Sequence, residues 1–329
     1  MNKKIFVLYT GGTIGMKHSP QGLTPDTALV HQALQPFSDG LEFDWHVCNP
    51  LIDSSAVTLA DQQNWLGLIG RNIARYDGFL ILHGTDTLAY TANLFALACC
   101  NLDKPIVLTG SQWPYTADNS DAPLNLATAV AALQLGLPQV TIAFNGKLYP
   151  AVGSSKVSTQ TAAGFDNPHF GALAELSPEG RLSAAAPTPQ TNGGFHILTI
   201  NPQAKIFAYP LIPGFSANHL AHILNHTPTQ ALILQSYGHG NAPADPAMIE
   251  ALGNFIRQGG RVLNISQVPQ GCAAAVYAQG NALRHAGVIT GGKCNLETAT
   301  ALLTLAVSND WDNHTICQIL QQLGLVEAV

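Results

Sequence analysis

The chain has 329 residues, of which 47% are apolar and only 10% are charged. This length exceeds what one compact core usually supports, so we expect two domains, and the apolar content argues against intrinsic disorder. Fourteen Lys and Arg residues stand against twenty Asp and Glu, a formal net charge of −6, and no basic cluster occurs along the chain. Nucleic acid requires clustered cations, so the composition argues against that partner and favours a small molecule.

The apolar run at residues 5–9 is too short for the core of a secretory signal, and no small-residue cleavage site follows it. It therefore predicts a first strand. No segment approaches the roughly 20 apolar residues that cross a bilayer, so no membrane partner is expected. Six cysteines occur without a C-x-x-C spacing, and Cys99 and Cys100 adjoin within a helical pattern. Free thiols in a reducing compartment are the favoured interpretation, which predicts a cytoplasmic location.

Short β-branched runs alternate with helical patterns in the N-terminal half, which is typical of βαβ units and a mostly parallel sheet. Strands are predicted at 4–9, 78–82, 105–108 and 139–144. The first long helix carries Trp65 and Ile69 on its apolar face and follows Thr58 and Asp61, which form a capping-box-like pair. A second helix is predicted at 87–100 and a third around Leu126.

A composition change divides the chain. The stretch SAAAPTPQTNGG at 183–194 is rich in small residues, contains Pro and has no periodicity, so it predicts a linker. Beyond it, strands are predicted at 206–209, 231–235 and 260–265, and helices at 217–224, 246–258, 296–308 and 314–323. We therefore predict two α/β domains: a larger one at 1–184 with a mostly parallel sheet flanked by helices, a linker at 185–204, and a smaller α/β domain at 205–329.

Glycines beside hydroxyl groups follow three predicted strands. The three segments are TGGTIG at 10–15, HGTDT at 83–87 and TGSQ at 109–112, and a fourth polar cluster, DSS at 53–55, precedes the first long helix. Ligands of parallel sheets bind beyond the carboxyl ends of the strands, so these segments predict one site. Converging hydroxyls, backbone N–H groups and carboxylates suit a small ligand that carries both ammonium and carboxylate groups.

Each segment also has a structural interpretation. Gly-Gly after a strand is common turn chemistry, and Thr85 and Asp86 are residue types that cap helices. A phosphate-binding loop is the obvious competitor, but the chain contains neither G-x-x-x-x-G-K-[ST] nor the dinucleotide-binding G-x-G-x-x-G spacing. The recurrence of the same chemistry at successive strand ends favours a site.

Two of these segments, TGGTIG and ILHGTDTLAYTA, resemble the signature motifs of the bacterial-type L-asparaginases. Other segments agree in order along nearly the whole chain: PLIDSS, PIVLTGSQ, DAPLNL, SYGHGNAP and GNALRHAGVI. The start of the chain together with PLIDSS and VLTGSQ resembles the type I, cytoplasmic branch. The resemblance implies hydrolysis of the asparagine side-chain amide by a threonine nucleophile, without cofactor or metal, in a homodimer or homotetramer.

The resemblance also implies roles for individual residues. Thr13 matches the nucleophile, and Thr85, Asp86 and Lys156 match the other members of the catalytic group. The remaining matched positions are implied to bind substrate; they are Gly12, Asp53, Ser54, Ser55, Gly84 and Ser111. The DSS cluster among them is implied to hold the substrate's α-carboxylate, and Asp86 its α-ammonium.

The chemistry of the residues supports these roles. A threonine hydroxyl is a weak nucleophile at neutral pH and needs a neighbouring base. Lys156 stands among uncharged residues, which suits a partly buried lysine with one carboxylate partner, and we expect that partner to be Asp86. An ordinary surface lysine is the alternative. The backbone N–H groups of Gly12 and Thr85 are candidate donors to the oxyanion that forms on attack.

The chain departs from the family in the segment after the nucleophile. Family members carry a tyrosine there, whereas the alignment places Leu23 at that position, and no tyrosine occurs between Thr13 and Tyr76. Leucine cannot relay a proton, and losing such a partner typically costs roughly 10²–10⁴-fold in rate. Four groups could replace it: Thr24, His18, Tyr115 and a tyrosine of a partner subunit.

Other functions remain open because of Leu23. One is a related amidohydrolase that acts on glutamine, a D-amino acid or another amide, and another is a non-catalytic amino-acid-binding homologue. His219, His222 and His226 have a spacing that can bind Zn²⁺, but no carboxylate or cysteine nearby completes a set, so a solvated helix face is favoured. We interpret His83 as structural. Asn241 is a hypothetical contact to a neighbouring subunit's site, again by resemblance.

Overall fold

The computed structural model describes residues 2–19, 22–184, 193–274 and 278–327. The chain divides into two compact units, Met1–Leu198 and Thr199–Val329. In the first unit the strands are β1 (Lys3–Tyr9), β2 (Met16–Ser19), β3 (Gly22–Pro25), β4 (Leu41–Val47), β5 (Gly78–Leu82), β6 (Cys99–Cys100), β7 (Ile106–Thr109), β8 (Val140–Phe144), β9 (Lys147–Pro150), β10 (Ser155–Lys156), β11 (Phe165–Asp166), β12 (Ala174–Glu175) and β13 (His196–Ile197). Its helices are α1 (Thr27–Leu34), α2 (Leu59–Asn72), α3 (Leu88–Ala98) and α4 (Ala122–Leu135).

The first unit is built on a seven-stranded sheet in the order β12-β9-β8-β7-β5-β1-β4. Strands β4, β1, β5, β7 and β8 pair in parallel, β9 pairs antiparallel with β8, and β12 pairs antiparallel with β9. Every residue of β5, β7 and β8 is buried, as expected for central strands that are covered on both faces. Because parallel strands end at the same edge, the loops after β1, β4, β5 and β7 meet there.

Helices cover the sheet with apolar side chains. On one face Ile5 and Val7 of β1 pack with Val30 of α1 and with Leu126 and Leu133 of α4. All five side chains are almost completely buried, and each contributes roughly 1.5–3 kcal/mol through burial. Helix α3 lies against β7 and β8. This packing holds the ends of β1, β5 and β7 in fixed positions.

The helices and strands predicted for the first unit all occur in the structure, and one of them needs a correction. Thr58 and Asp61 form the predicted capping box, in which the Thr58 N–H donates to Asp61 Oδ2 over 2.9 Å and the Asp61 N–H donates back to Thr58 Oγ1 over 3.3 Å. The helix predicted at 87–100 is too long. It ends at Ala98 because Cys99 and Cys100 form β6, which pairs with β13.

The second unit contains a four-stranded parallel sheet in the order β14-β15-β16-β17. Its elements are β14 (Ile206–Pro210), α5 (Ser216–His226), β15 (Ala231–Ser236), α6 (Pro246–Arg257), β16 (Arg261–Ser266), α7 (Ala278–His285), β17 (Ile289–Thr290), α8 (Leu296–Ser308) and α9 (Asn313–Gln322). A core of Leu220, Leu232, Met248 and Leu252 joins α5 and α6 to the sheet. The predicted fold class, two α/β domains with a larger N-terminal one, is confirmed.

Part of the predicted linker at 185–204 belongs to the first unit, since β13 pairs with β6. Residues 185–192 of that linker lie outside the described residues, and the predicted boundaries stay a prediction. Among the described helices, none combines the length and the apolar character needed to cross a membrane.

Candidate active site

Two glycine-containing loops touch through their backbones. Gly12 follows β1 with φ 99°, a conformation that favours glycine. A Cβ placed on Gly12 would lie 2.7 Å from the Cα of Gly84, so no other residue fits without displacing the loop after β5. The Thr10 hydroxyl donates to the carbonyl oxygen of Leu82 over 3.1 Å and joins the same two strand ends. Thr13, half-buried, is the next residue and begins a 3₁₀ turn, Thr13–Gly15.

The DSS cluster lies against the other side of Gly84. A Cβ on Gly84 would lie 2.6 Å from Ser54 Oγ, and the Thr87 hydroxyl donates to the Ser54 carbonyl oxygen over 2.6 Å. The cluster follows β4, an edge strand with Glu42, Asp44 and His46 in its sequence, which the apolar patterns did not predict. This missed strand explains why the DSS cluster shares the sheet edge with the other segments.

The loop after β7 closes the cluster of loops. Gly110 packs on the carbonyl oxygen of His83, and a Cβ on Gly110 would also contact the Thr85 methyl group at 3.6 Å. Ser111 is buried and its hydroxyl donates to the Trp113 carbonyl oxygen over 2.5 Å. Among the described contacts, Ser111 bonds to no other candidate residue. The loop that contains Ser111 therefore contacts the candidate site through Gly110, whereas the Ser111 hydroxyl bonds within the loop.

Lys156 completes the cluster from a distant part of the chain. Its Nζ donates to Thr85 Oγ1 over 2.8 Å and to Asp86 Oδ1 over 2.7 Å. The Lys156 side chain is 15% exposed and that of Asp86 is 61% exposed. The expected pairing of Lys156 with Asp86 is present, and the alternative of an ordinary surface lysine is wrong.

A buried asparagine places the strand that carries Lys156. Asn93 of α3 donates to the carbonyl oxygen of Ser154 over 3.3 Å and accepts from the N–H of Gly153 over 3.3 Å. The same helix begins directly after Thr85 and Asp86. Asn93 therefore joins the two segments that meet at the ion pair. Sequence reasoning missed this residue, because a buried asparagine has no signal in a helical apolar pattern.

A second buried network supports the loop after β7. The Asp121 carboxylate accepts hydrogen bonds from the backbone N–H groups of Gln112 and Trp113, at 3.0–3.1 Å, and from Asn125 Nδ2 at 2.9 Å. Asn125 Nδ2 also donates to the Gly110 carbonyl oxygen over 2.9 Å. Both residues lie in the DAPLNL segment, which the sequence comparison noted without a role. The network fixes the turn that packs on Thr85.

The DSS cluster presents an exposed carboxylate and an exposed hydroxyl beside the buried Ser54. Asp53 Oδ1 accepts from the Ser55 N–H and from the Ser55 hydroxyl, each at 2.9 Å. The backbone bond, with the hydroxyl bond second, lowers the pKa of Asp53 below its ordinary value. Asp53 is therefore ionised at neutral pH. Its two hydrogen bonds fix the orientation of Ser55, which is next to the buried Ser54 in the chain.

His83 is buried beneath the loop and bonds on both sides. Its Nδ1 lies 2.7 Å from the Gly84 carbonyl oxygen and its Nε2 lies 3.0 Å from Thr91 Oγ1, which in turn accepts from Gln62 Nε2 over 3.0 Å. Burial lowers the pKa of His83 to about 4, against a smaller opposing effect of the Gly84 bond, so the ring is neutral. These contacts agree with the structural interpretation of His83.

Leu23 lies on β3 of the hairpin formed by β2 and β3, which follows the Thr13–Gly15 turn. Leu23 pairs with His18 across the hairpin and is 44% exposed, and Thr24 is half-buried beside it. The side chain of His18 lies outside the described residues. Tyr115 lies beside the Thr13–Gly15 turn, because its backbone N–H donates to the Ile14 carbonyl oxygen over 3.4 Å.

The histidines of α5 are exposed and their neighbours are aromatic. His219 stacks on Phe215, and His222 stacks on His226 with ring centroids 4.3 Å apart. Over the described ranges, no group of three or more His, Cys, Asp or Glu side chains has the geometry to hold a metal ion. Asn241 lies in the second unit, in a turn closed by its N–H bond to the Tyr237 carbonyl oxygen at 2.8 Å.

Comparison with known proteins identifies the family. The asparaginase N-terminal family model matches residues 4–188, and the glutaminase/asparaginase C-terminal domain model matches residues 205–320. The chain belongs to the asparaginase family. It is 37% identical over 327 residues to L-asparaginase 1 of Escherichia coli K12, covering 97% of this chain and 96% of that protein.

Other relatives and solved structures of the family are also similar. The human 60 kDa lysophospholipase is 29% identical over 92% of this chain and 57% of its own length. The crystal structure of L-asparaginase I from Vibrio cholerae has a TM-score of 0.89 at 32% identity and covers both chains completely. The L-asparaginase of Thermococcus kodakarensis has a TM-score of 0.88 at 27% identity over 99% of this chain and all of its own.

Proposed function

We propose that this protein hydrolyses the side-chain amide of L-asparagine to aspartate and ammonia, with Thr13 as the nucleophile. The observation that carries the proposal is the contact of Lys156 Nζ with both Thr85 Oγ1 and Asp86 Oδ1, beside the touching backbones of Gly12 and Gly84. The identity of 37% to E. coli L-asparaginase 1 over nearly the whole of both chains supports the substrate.

In the proposed reaction Thr13 Oγ1 attacks the amide carbon, and the N–H groups of Gly12 and Thr85 bind the oxyanion that forms. A well-placed oxyanion donor contributes about 3 kcal/mol to stabilising the transition state. The tetrahedral intermediate collapses when the C–N bond breaks and the proton that Thr13 Oγ1 lost on attack is delivered to the leaving nitrogen, which departs as ammonia. The product of this half-reaction is a β-aspartyl ester of Thr13.

Thr85 and Lys156 provide the proton path for the second half-reaction. In this step Lys156 acts as the neutral amine: water attacks the ester carbon and passes a proton to Thr85 Oγ1, whose own proton moves to the lone pair of Lys156 Nζ, 2.8 Å away. The ester C–O bond then breaks, Thr13 regains its proton, and aspartate leaves. Asp86 Oδ1, 2.7 Å from Lys156 Nζ, holds this group in place and stabilises the ammonium that forms when it accepts the proton. The scheme requires no cofactor or metal.

Residues beside the catalytic group bind the α-carboxylate and the α-ammonium of the substrate. The DSS cluster binds the substrate's α-carboxylate mainly through the Ser54 hydroxyl, because the N–H and the hydroxyl of Ser55 both donate to Asp53 Oδ1. Asp86 accepts the α-ammonium on the part of its carboxylate that Lys156 does not occupy, which its 61% exposure permits. Gly84 has no side chain, which permits Ser54 to lie close to its backbone. Ser111 lies in the loop after β7, which bounds the proposed site.

The family resemblance supports two further proposals: a homodimer or homotetramer, and a cytoplasmic location. Asn241 contributes to a neighbouring subunit's site in this scheme. Exposed apolar side chains on the second unit, Ile212 at 63% and Phe215 at 72%, are consistent with a protein interface there.

Ammonia release by the purified protein tests the function. Wild type is expected to release ammonia from L-asparagine, whereas Thr13→Ala and Lys156→Met are each expected to reduce kcat by at least about 10³-fold. Equal rates in the three proteins would contradict the proposal.

A second candidate function differs only in the substrate. Leu23 stands where family members carry a tyrosine, and a leucine side chain has no hydroxyl to act on the reacting group. Turnover of glutamine, D-asparagine and D-glutamine, measured beside L-asparagine, separates the two candidates. A higher kcat/KM for any of these three would favour the related amidohydrolase. Binding of L-asparagine without turnover of any amide would favour the non-catalytic homologue.

A further inference from the structure

A directed chain of hydrogen bonds leads from helix α2 to the loop after β5. Gln62 of α2, Thr91 of α3 and His83 are all buried, and the chain ends at the carbonyl oxygen of Gly84. Its three links measure 3.0 Å, 3.0 Å and 2.7 Å. The reaction scheme above assigns no step to these side chains.

The chemistry of the groups fixes the direction of each bond. A carbonyl oxygen only accepts, so His83 Nδ1 carries the proton and donates to Gly84. The ring is neutral, so Nε2 has a lone pair and accepts from the Thr91 hydroxyl. Thr91 Oγ1 then accepts from the Gln62 amide, which only donates through its nitrogen. Thr91 and Gln62 thereby select the Nδ1–H tautomer of His83.

The last bond of the chain determines where the next N–H group points. The Gly84 carbonyl and the Thr85 N–H belong to one planar trans peptide, so they point in opposite directions. Glycine allows such a peptide more rotational freedom than any other residue. A bond of 2.7 Å to a buried, rigid ring removes that freedom. A carbonyl that accepts a hydrogen bond also makes its own peptide N–H a stronger donor.

We propose that His83 is a positioning residue, which fixes the Gly84–Thr85 peptide so that the Thr85 N–H faces the oxyanion formed during amide hydrolysis. The inference rests on the proposed function. Because His83 acts through the peptide and the charge develops only in the transition state, its loss lowers kcat more than it raises KM.

Two substitutions of nearly equal polarity separate this role from simple packing. In His83→Asn the amide nitrogen can occupy the position of Nδ1 and keep the bond to Gly84. In His83→Gln the amide nitrogen reaches instead to the position of Nε2, towards Thr91. We expect kcat of the Gln variant to fall by about 10²-fold and that of the Asn variant by less than about 10-fold, with KM changing by less than about threefold in both.

Variants of Thr91, which bonds to the far side of the His83 ring, provide an independent test. Thr91→Val removes the hydroxyl that selects the tautomer and should lower kcat by about 10-fold, whereas Thr91→Ser keeps the hydroxyl and should restore it. The proposal is overturned if the Gln variant keeps wild-type kcat, if Asn and Gln lower kcat equally, or if Thr91→Val has no effect.

The tautomer itself can be measured without any variant. Nitrogen-15 NMR of the histidines in the wild-type protein should show a neutral His83 with its proton on Nδ1 at pH 7. A proton on Nε2 would overturn the proposal even if every variant failed to fold. Failure of the proposed function has a different signature, since wild type would then release no ammonia from L-asparagine whatever the tautomer.

Discussion

Lys156 shows how a single side chain unites segments that lie about 70 residues apart in the chain. Its amine lies within 2.8 Å of two oxygens, and its side chain is mostly buried. Its partner Asp86 is 61% exposed, and an ion pair with a solvent-exposed partner usually contributes at most about 1 kcal/mol, so this contact matters for placement more than for stability. The pair holds the Lys156 amine beside Thr85, where the proposed hydrolysis of the acyl-enzyme needs a proton acceptor.

Replacing Leu23 tests the departure from the family at the residue scale. Leu23→Tyr is expected to raise kcat for L-asparagine by at least about tenfold, because a phenol hydroxyl restores an acid–base partner for Thr13. Leu23→Phe is the matched control, since it adds the ring without the hydroxyl. Steady-state ammonia release measures both variants. An equal gain with Phe would show that the ring, and not proton transfer, causes the change.

At the scale of elements, the site depends on buried polar residues that join helices to loops. Asn93 joins α3 to the segment before β10, and Asp121 and Asn125 of α4's N-terminal region hold the turn after β7. Each donor or acceptor that loses its partner inside a protein costs about 1–3 kcal/mol. These residues therefore couple the stability of the first unit to the geometry of the site.

Asn93→Ala is expected to lower both stability and rate. Loss of its bonds to Gly153 and Ser154 should reduce the free energy of unfolding by about 2 kcal/mol and, by releasing the strand of Lys156, reduce kcat by about 10-fold. Asn309→Ala is the control, because Asn309 bonds to Thr199 and Leu305 within the second unit. Denaturant unfolding and ammonia release report the two effects. A destabilised Asn93→Ala protein with unchanged kcat would show that Asn93 does not place Lys156.

For the whole molecule, the buried and neutral His83 makes stability depend on pH. The unfolded chain protonates this histidine near pH 6.5, whereas the folded protein resists protonation until about pH 4. The unfolded state therefore binds more protons between these values, and stability falls as the pH falls. Well above pH 6.5 this histidine is unprotonated in both states and the effect disappears.

We expect the free energy of unfolding to decrease by on the order of 3 kcal/mol between pH 6.5 and pH 4 because of His83. Thermal unfolding of wild type and of His83→Asn over this range measures the effect, since the asparagine does not titrate. Carboxylates such as Asp53 contribute equally to both proteins. The prediction fails if the difference in Tm between the two proteins does not change with pH.

Several features of this protein followed from local sequence alone. The buried strands were visible as short β-branched runs, the Thr58 and Asp61 pair marked the start of α2, and glycines beside hydroxyls marked the strand ends. These signals are local because strand propensity, capping and turn conformation each depend on a few neighbouring residues. The family resemblance, carried by motifs of six to twelve residues, supplied the candidate roles.

Tertiary structure decided what brings those segments together. The edge strand β4 has polar residues and no continuous apolar run, so its pairing with β1, and with it the position of the DSS cluster, depends on a partner strand. Cys99 and Cys100 have a helical pattern but become a strand because β13 pairs with them. The ion pair of Lys156, the hydrogen bonds of Asn93 to the segment before β10 and the hydrogen bond of Gln62 to helix α3 all join residues that are distant in sequence. Such contacts form only where folding brings both partners within about 3 Å, so local sequence does not reveal them.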